Sequence, residues 1–356
     1  MESASHPVHA AGGLRLDSGA GSLPSWGAGA VLGGSAALVA AVLAAAGAFT
    51  VALTLVFGTL LSGAVLYGWS RAVEGGRRAL DRVMTLAIAA AFGLAMIPLF
   101  SLVYEVAKRG IPGLSLEFFT EDARGVVGGG GAAHAIAGTL VITGIAALIS
   151  VPIGIMAAIY LNEYGTGRLR RALTFFVDVM TGIPSIVAGL FAYALFELFL
   201  GPGIRLGVMG SVALSLLMIP IVIRSAEEIL KVVPNHLREA AYALGTPKWK
   251  TITKIVLPTA FAGLVTGVMI AIARIVGETA PLLVTTGVVD SMNTDPFHGR
   301  MQNLAVYAYN EYRSPGVMKQ AAYDKAWAAA LTLIAIVMIL NVAARLVYRR
   351  YKTEIR

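Results

Sequence analysis

The feature that most constrains the fold is a long stretch without charge near the start of the chain. Residues 18–70 contain no Asp, Glu, Lys or Arg. An α-helix needs about 20 apolar residues to cross a bilayer, so this stretch is long enough for two crossings. We predict them at roughly 28–46 and 48–69, with a tight turn near Gly47. The alternative is one long tilted helix followed by an interfacial segment.

The composition of the whole chain also indicates that lipid is its solvent. Hydrophobic residues make up 57% of the 356 residues and charged residues only 13%, whereas about 25% charged residues is usual in soluble domains. The absence of Cys excludes a disulfide framework, a thiolate nucleophile and a Cys-ligated metal. The five scattered His argue against a His metal site, so we expect no metal and no cofactor in this chain. The sequence has no Gly-rich phosphate loop, so we do not expect the chain to hydrolyse ATP.

Six further apolar segments follow, which brings the predicted crossings to eight. They lie at roughly Val83–Tyr104, His134–Leu161, Leu173–Phe199, Leu206–Ile223, Thr259–Val284 and Ala326–Val347. The linkers on one side hold most of the Lys and Arg, and by the positive-inside rule both termini are predicted to be cytoplasmic. Because the net charge of +8 follows one membrane face, it does not indicate nucleic-acid binding.

The N-terminal segment and two long linkers lie outside the predicted crossings. Residues 1–27 are rich in Gly, Ser, Ala and His and are predicted to be a disordered cytoplasmic leader. Two linkers predicted to lie outside are long: Glu105–Ala133, with an acidic patch and a GGGG run, and Thr285–Lys325, which is dense in Tyr. Linkers of this length are usually functional or disordered. They predict either a docking surface for an external substrate-binding protein or a simple interfacial belt of aromatic side chains.

Two charged residues, Arg274 and Glu278, lie inside the predicted crossing Thr259–Val284. A charged side chain at the bilayer centre costs about 2.5–3.5 kcal/mol, so we expect both to face a cavity or a partner. Their i, i+4 spacing places them on one helix face, where they can touch. The guanidinium of Arg274 offers paired donors that match phosphate oxygens. The alternative is a structural ion pair that holds helices together.

The segment from Thr181 to Ser185 is a further candidate for the membrane interior. Pro184 removes one helical hydrogen bond, and two hydroxyl groups flank it one turn apart. This pattern fits a broken helix that aims donors at an anion. It fits equally well a plain proline kink whose free backbone groups are bonded by the hydroxyls. Thr181 and Ser185 are therefore candidate pathway residues.

The segment 224–258 is too polar for a bilayer, and breaks at Pro234 and Gly245 divide it into short helices. It predicts a helix-loop-helix on a membrane face. EAA at 239–241, Gly245 and the later IVLP at 255–258 resemble the EAA loop of ABC-importer permeases. The resemblance implies that four residues couple the chain to a cytoplasmic ATPase: Glu239, Ala240, Ala241 and Gly245. The alternative is an ordinary amphipathic hairpin.

Three further stretches resemble phosphate-specific importer permeases of the PstA and PstC type. They are ARIVGETAPLL at 273–283, DVMTGIPSIVAG at 178–189 and IPIVIRSAEE at 219–228. In that family the intramembrane Arg and Glu are linked to phosphate passage, which implies this role for Arg274 and Glu278 and, on weaker grounds, for Arg224. The resemblance covers residues 83–350 and leaves out the first two crossings, because the family core has six.

The sequence therefore predicts an all-α polytopic membrane protein. It would have a six-helix, MetI-like importer permease core at 83–350, preceded by a transmembrane hairpin at 28–70. The resemblance implies a non-catalytic permease subunit of an ATP-driven phosphate importer in the plasma membrane of a bacterium. The implied partners are inorganic phosphate, the lipid bilayer, a homologous permease of the PstC type, two ATPase subunits of the PstB type that bind ATP and Mg, and an external phosphate-binding protein of the PstS type. The alternative is a secondary anion transporter driven by an ion gradient, which inverted repeats would favour; we see none.

Overall fold

The structure, a computed structural model, describes residues 22–124 and 130–352, the last six of these by their backbone alone. Within these ranges all regular structure is helical, which confirms the predicted all-α class. The α-helices are α1 (Gly27–Ala45), α2 (Val51–Val73), α3 (Gly76–Gly110), α4 (Leu116–Thr120), α5 (Ala133–Ile159), α6 (Gly167–Thr181), α7 (Ser185–Leu200), α8 (Gly207–Val232), α9 (Asn235–Ala243), α10 (Lys248–Thr251), α11 (Leu257–Val276), α12 (Ala280–Thr285), α13 (Leu304–Arg313) and α14 (Lys319–Lys352). A 3₁₀ turn lies at Ile111–Gly113, and π-helices lie at Tyr160–Tyr164 and Ile252–Val256.

Seven of the described helical segments are long and apolar enough to cross a membrane, and α6 with α7 makes an eighth if this bent pair is one span. Many large apolar side chains on these segments are exposed, such as Phe92, Phe100 and Leu198. Water-soluble proteins rarely expose apolar surface on this scale, whereas lipid is as apolar as these side chains. The chain is therefore a multi-pass membrane protein.

The chain divides into two compact units, Met1–Val103 and Tyr104–Arg356. In the first unit the carboxylate of Glu74 closes the turn after α2. It accepts hydrogen bonds from Arg82 Nε, from the Leu23 N–H and from Ser70 Oγ, each at 2.7 Å. The Arg82 guanidinium, together with the other two donors, lowers the pKa of Glu74 to about 2. Glu74 therefore stays ionised at neutral pH and keeps all three donors.

The second unit is built around α5, α8 and α11, and three apolar clusters follow one another along α5. The central cluster joins all three helices through side chains such as Ile142, Met218 and Ile275. A second cluster surrounds the point at which α8 ends, next to the segment 233–256. A third lies at the opposite end of α5, against α13 and α14. Continuous helices packed in this way form a rigid frame.

Two of the predicted crossings are not continuous helices. The crossing predicted at 173–199 consists of α6 and α7, which are bent by 107°. The crossing predicted at 259–284 consists of α11 and the short α12, separated by Gly277–Thr279. Pro184 and Pro281 lie at or just after these breaks and have no amide donor for a helical bond. Average hydropathy did not place these interruptions, although Pro184 had indicated a broken helix as one of two alternatives for the first segment.

Some predictions fall on residues that the structure does not describe. Residues 1–21 of the predicted leader, part of the GGGG run and the end of the C-terminal tail lie outside the described ranges. The boundaries predicted for the leader, the hairpin and the core stay predictions. The cytoplasmic location of both termini also stays a prediction.

Candidate functional site

The first helix break lies at the segment TGIPS. Helix α6 ends at Thr181, and α7 begins at Ser185 after Pro184 in an extended conformation. Thr181 Oγ1 donates to the Val177 carbonyl at 2.9 Å, so the hydrogen of this hydroxyl is bonded within α6. Ser185 is half-buried at the first position of α7. A bend of 107° is a complete interruption, which supports the broken helix over the plain kink.

The second helix break lies at the segment GETAP. Helix α11 ends at Val276, and the Glu278 N–H still donates to the Ile275 carbonyl at 3.1 Å. In a continuous helix the Glu278 carbonyl would accept from the N–H four residues later. Here it accepts from Asn303 Nδ2 at 3.2 Å. Asn303 therefore stabilises the break, and the sequence gave no reason to single it out.

The predicted contact between Arg274 and Glu278 is wrong. Arg274 lies exposed in the last turn of α11, and Glu278 lies half-buried beyond the end of that helix. Within the described residues, neither side chain forms a hydrogen bond or an ion pair. Residues i and i+4 are neighbours only inside a continuous helix. Because α11 ends at Val276, Arg274 and Glu278 do not share a helix face.

The helices that follow the two breaks, α7 and α12, pack against each other. A Cβ added to Gly189 of α7 would lie 2.6 Å from Pro281 Cα of α12, so only glycine fits at this contact. Gly189 is four residues after Ser185, and Pro281 is three residues after Glu278. The structure therefore packs together the helices that begin at the two breaks, which are far apart in the sequence.

Arg224 lies elsewhere, in an ionic network. Its guanidinium donates to Asp178 Oδ1 of α6 and, at 3.0 Å, to Glu227 Oε2 of α8. Its neighbour Ser225 packs against Gly267 of α11. Arg274 is seven residues beyond Gly267, or about 10 Å along the helix axis at 1.5 Å per residue. The structure therefore joins Arg224 to Asp178 and does not bring it to Arg274.

The segment 233–256, which we call the coupling loop, has the predicted helix-loop-helix form, with α9 followed by α10. Gly245 turns the chain between them with a φ of +72°, a conformation that favours glycine. Of the EAA residues, Ala241 is buried against the unit, whereas Glu239 and Ala240 are exposed. Two large apolar side chains of the same loop are also exposed: Leu244 is 85% exposed and Trp249 is 62% exposed. An exposed apolar patch of this kind is typical of a protein-binding surface.

A buried ion pair anchors the coupling loop to the rest of the unit. Arg238 of α9 donates to Glu163 Oε1 at 2.8 Å, and the two side chains are only 12% and 6% exposed. The same guanidinium donates to the carbonyls of Val233 and Leu230 at 2.6 and 3.0 Å. Lys248 of α10 adds a cation–π contact with Tyr164 at 4.9 Å. The π-helix Tyr160–Tyr164 therefore provides two of the contacts that hold the coupling loop to the rest of the unit.

The two long linkers predicted to lie outside are bonded to each other. Asp122 Oδ2 accepts from the Met292 N–H at 3.1 Å, and the Ala123 N–H donates to the Asp290 carbonyl at 3.0 Å. The Met292 N–H contributes most to lowering the pKa of Asp122. Of the linker tyrosines, Tyr307 is 2% exposed and Tyr312 is 59% exposed. The described parts of the two linkers thus form one joined surface, and its role in docking stays a prediction.

The chain is similar to known proteins over most of its length. Residues 150–353 match the family described as binding-protein-dependent transport system inner membrane component. The phosphate transport system permease protein PstA 1 of Mycobacterium tuberculosis (strain CDC 1551 / Oshkosh) is 46% identical over 275 residues, which cover 76% of this chain and 89% of the relative. The phosphate transport system permease protein PstA of Yersinia pestis is 40% identical over 288 residues, which cover 79% of this chain and 94% of the relative.

A solved structure shows the same fold. A chain from the bacterial alginate ABC transporter in complex with an alginate pentasaccharide-bound periplasmic protein superposes with a TM-score of 0.56 at 15% identity. The superposition covers 76% of this chain and 95% of that chain. With the family match, this likeness confirms the predicted importer-permease core.

The anchoring role of Arg238 can be tested by its removal. Arg238→Ala leaves the Glu163 carboxylate buried without its cation, so we expect the free energy of unfolding to fall by about 3–5 kcal/mol. Denaturant titration in detergent micelles measures this change. Arg168→Ala, which removes an exposed Arg from α6, is the control and should change little. Equal stability of the two variants would contradict the anchoring role.

Proposed function

The chain belongs to the family of binding-protein-dependent transport system inner membrane components, and on that premise we propose that it is the permease subunit of an ATP-driven phosphate importer. The names of its PstA relatives support phosphate as the cargo. The single structural observation that carries the proposal is the meeting of two broken helices at Gly189 and Pro281. Broken helices within a membrane line substrate sites in transporters, because the groups they free need polar partners.

Arg274 is the proposed anion-binding residue of the pathway. It ends α11 immediately before the second break, and its guanidinium is exposed without an ion-pair partner among the described residues. An unpaired cation on a membrane-spanning helix is costly against lipid. Against a pathway for phosphate, the same cation would offer a planar fork of donors to the oxygens. A homologous permease subunit of the PstC type would supply the other wall of this pathway.

Glu278 is proposed to recognise the proton of phosphate. A carboxylate beside the path of an anion repels it, but phosphate near neutral pH still carries a proton that it can donate to Glu278. Sulfate has no such proton, and a buried charged acceptor without a donor costs about 1–3 kcal/mol or more. Glu278 would thus disfavour sulfate. Thr181 and Ser185 are proposed to border the same pathway, and Arg224 is a secondary candidate because two carboxylates already engage it.

The coupling loop is proposed to bind the ATPase. Its exposed Glu239, Ala240, Leu244 and Trp249 form a mixed polar and apolar surface. Two ATPase subunits of the PstB type would bind ATP and Mg and supply the energy, so this chain itself is not an enzyme. The loop and both termini would then lie in the cytoplasm of a bacterium. A phosphate-binding protein of the PstS type would dock on the opposite face, on the joined linkers.

The coupling role can be tested at Gly245. Gly245→Val forces a β-branched residue into a positive φ, although no atom lies within 4 Å of the added Cβ. We expect the complex to assemble, and we expect the binding protein no longer to stimulate ATP hydrolysis in proteoliposomes. Gly47→Val is the matched control, because Gly47 has a φ of +68° and equally open surroundings and lies outside the proposed binding surfaces. Stimulation that persists in Gly245→Val would exclude the coupling role.

The pathway role can be tested at Arg274. Arg274→Gln removes the charge that would balance phosphate in the proposed pathway. We expect phosphate uptake by the reconstituted transporter to be abolished, while assembly and basal hydrolysis by the partner ATPase remain. Arg345→Gln, at an exposed position of α14, should transport normally. Normal uptake by Arg274→Gln would show that the residue is not part of the pathway.

A further inference from the structure

Four charged side chains form a continuous ionic chain between α6 and α8. Arg224 donates to Asp178 Oδ1 and, at 3.0 Å, to Glu227 Oε2. Glu227 Oε1 lies 2.8 Å from Lys231 Nζ. Arg224, Glu227 and Lys231 all belong to α8, so Asp178 is the one member of the four on α6. The bond from Arg224 to Asp178 therefore carries the whole ionic connection of this group to α6.

The two ends of this ionic chain lie next to functional segments. Asp178 is three residues before Thr181, where α6 ends and the chain bends by 107° into α7. Lys231 lies in the last turn of α8, and the coupling loop begins two residues later. The ionic chain thus connects the helix that holds the coupling loop with the first helix break.

The Arg224–Asp178 pair differs in burial from the anchoring pair of the coupling loop. The side chains of Arg224 and Asp178 are 34% and 59% exposed, whereas Arg238 and Glu163 are nearly buried. Arg224 begins the segment 224–258, which is predicted to lie outside the bilayer, so water can solvate both charges at little cost when this exposed pair separates. Separation of a buried pair leaves an uncompensated charge. Arg224 also keeps Glu227 on its own helix when Asp178 leaves, so this contact can open and close without stranding a charge.

An apolar contact beside the pair holds α6 against α8 independently of the ionic bond. Val177, the neighbour of Asp178, is buried in the cluster that contains Ile223 and Ala226 of α8. The hydrophobic effect is non-directional, so α6 stays packed against α8 when the ionic pair separates. The directional bond from Arg224 to Asp178 is what selects a position of α6.

We propose that Asp178 is a positioning residue and that the Arg224–Asp178 pair is a releasable latch between the coupling loop and the α6–α7 break. When the ATPase moves the coupling loop, α8 carries Arg224 with it. With the pair closed, α6 is fixed and so is the start of the break. With the pair open, the break is free to rearrange. The latch rests on the proposed function, because it requires a partner that drives the loop.

The test uses the complete transporter in proteoliposomes, with phosphate uptake and ATP hydrolysis measured in the same vesicles. Asp178→Asn keeps the side-chain size and removes the charge. We expect assembly and basal hydrolysis to be unchanged and the phosphate transported per ATP to fall by about fivefold. Asp178→Glu, which keeps the carboxylate, should restore most of this ratio. Adding Asp178→Asn to Arg224→Gln should lower the ratio no further, because each change removes the same link.

Glu105→Gln is the matched control, because it removes an exposed ion pair with Arg109 that lies within one helix. Its ratio of phosphate to ATP should equal that of the wild type. An unchanged ratio in Asp178→Asn would overturn the latch. Loss of assembly or of thermal stability in that variant would also overturn it, since the pair would then be structural.

Failure of the proposed function would give a different result. In that case the wild-type complex itself would not import phosphate. The latch would then be judged by the ratio of stimulated to basal ATP hydrolysis, which requires no knowledge of the cargo. Asp178→Asn should lower that ratio relative to Glu105→Gln, and equal ratios would overturn the latch.

Discussion

Lipid offers no hydrogen-bond partners to a polypeptide backbone, so a membrane-spanning chain stays helical unless protein or water meets the groups that a break exposes. At the interruptions at 182–184 and 277–279, protein or water must therefore bond the exposed backbone groups. The helices that follow the interruptions contact each other at Gly189 and Pro281, and Asn303 donates to the carbonyl of Glu278. The continuous helices α5, α8 and α11 hold them in place. The proposed anion pathway rests on this arrangement and on Arg274, which has no ion-pair partner among the described residues.

Two ion pairs near the coupling loop differ in burial, and this difference suits them to different roles. The Arg238–Glu163 pair is buried, and its guanidinium also bonds two backbone carbonyls, which fixes α9 to the unit. The Arg224–Asp178 pair is partly exposed, and Arg224 has a second partner. The anchor therefore bonds the end of α8 through the Leu230 carbonyl, and the separable contact uses Arg224 of the same helix. This pairing suits a loop that must stay attached while it transmits movement.

Hydropathy predicted most of the spans because lipid imposes apolar length on any helix that crosses it. It missed the breaks after Thr181 and Val276, because a break changes hydrogen bonding and leaves apolarity unchanged. The predicted Arg274–Glu278 contact failed for the same reason. The Arg238–Glu163 pair joins residues 75 positions apart, and no local pattern in one sequence reports such a contact. Gly245 was predictable, because the turn chemistry of glycine is local.

The central claim is that this chain conducts phosphate only as part of an ATP-driven assembly. The most direct measurement is phosphate accumulation in proteoliposomes that contain the chain alone or the chain with its homologous permease, ATPase subunits and binding protein. We predict accumulation only in the complete assembly, with ATP on the ATPase side and binding protein on the other, and no effect of collapsing ion gradients. Phosphate accumulation by the chain alone under an imposed proton or sodium gradient would contradict the account.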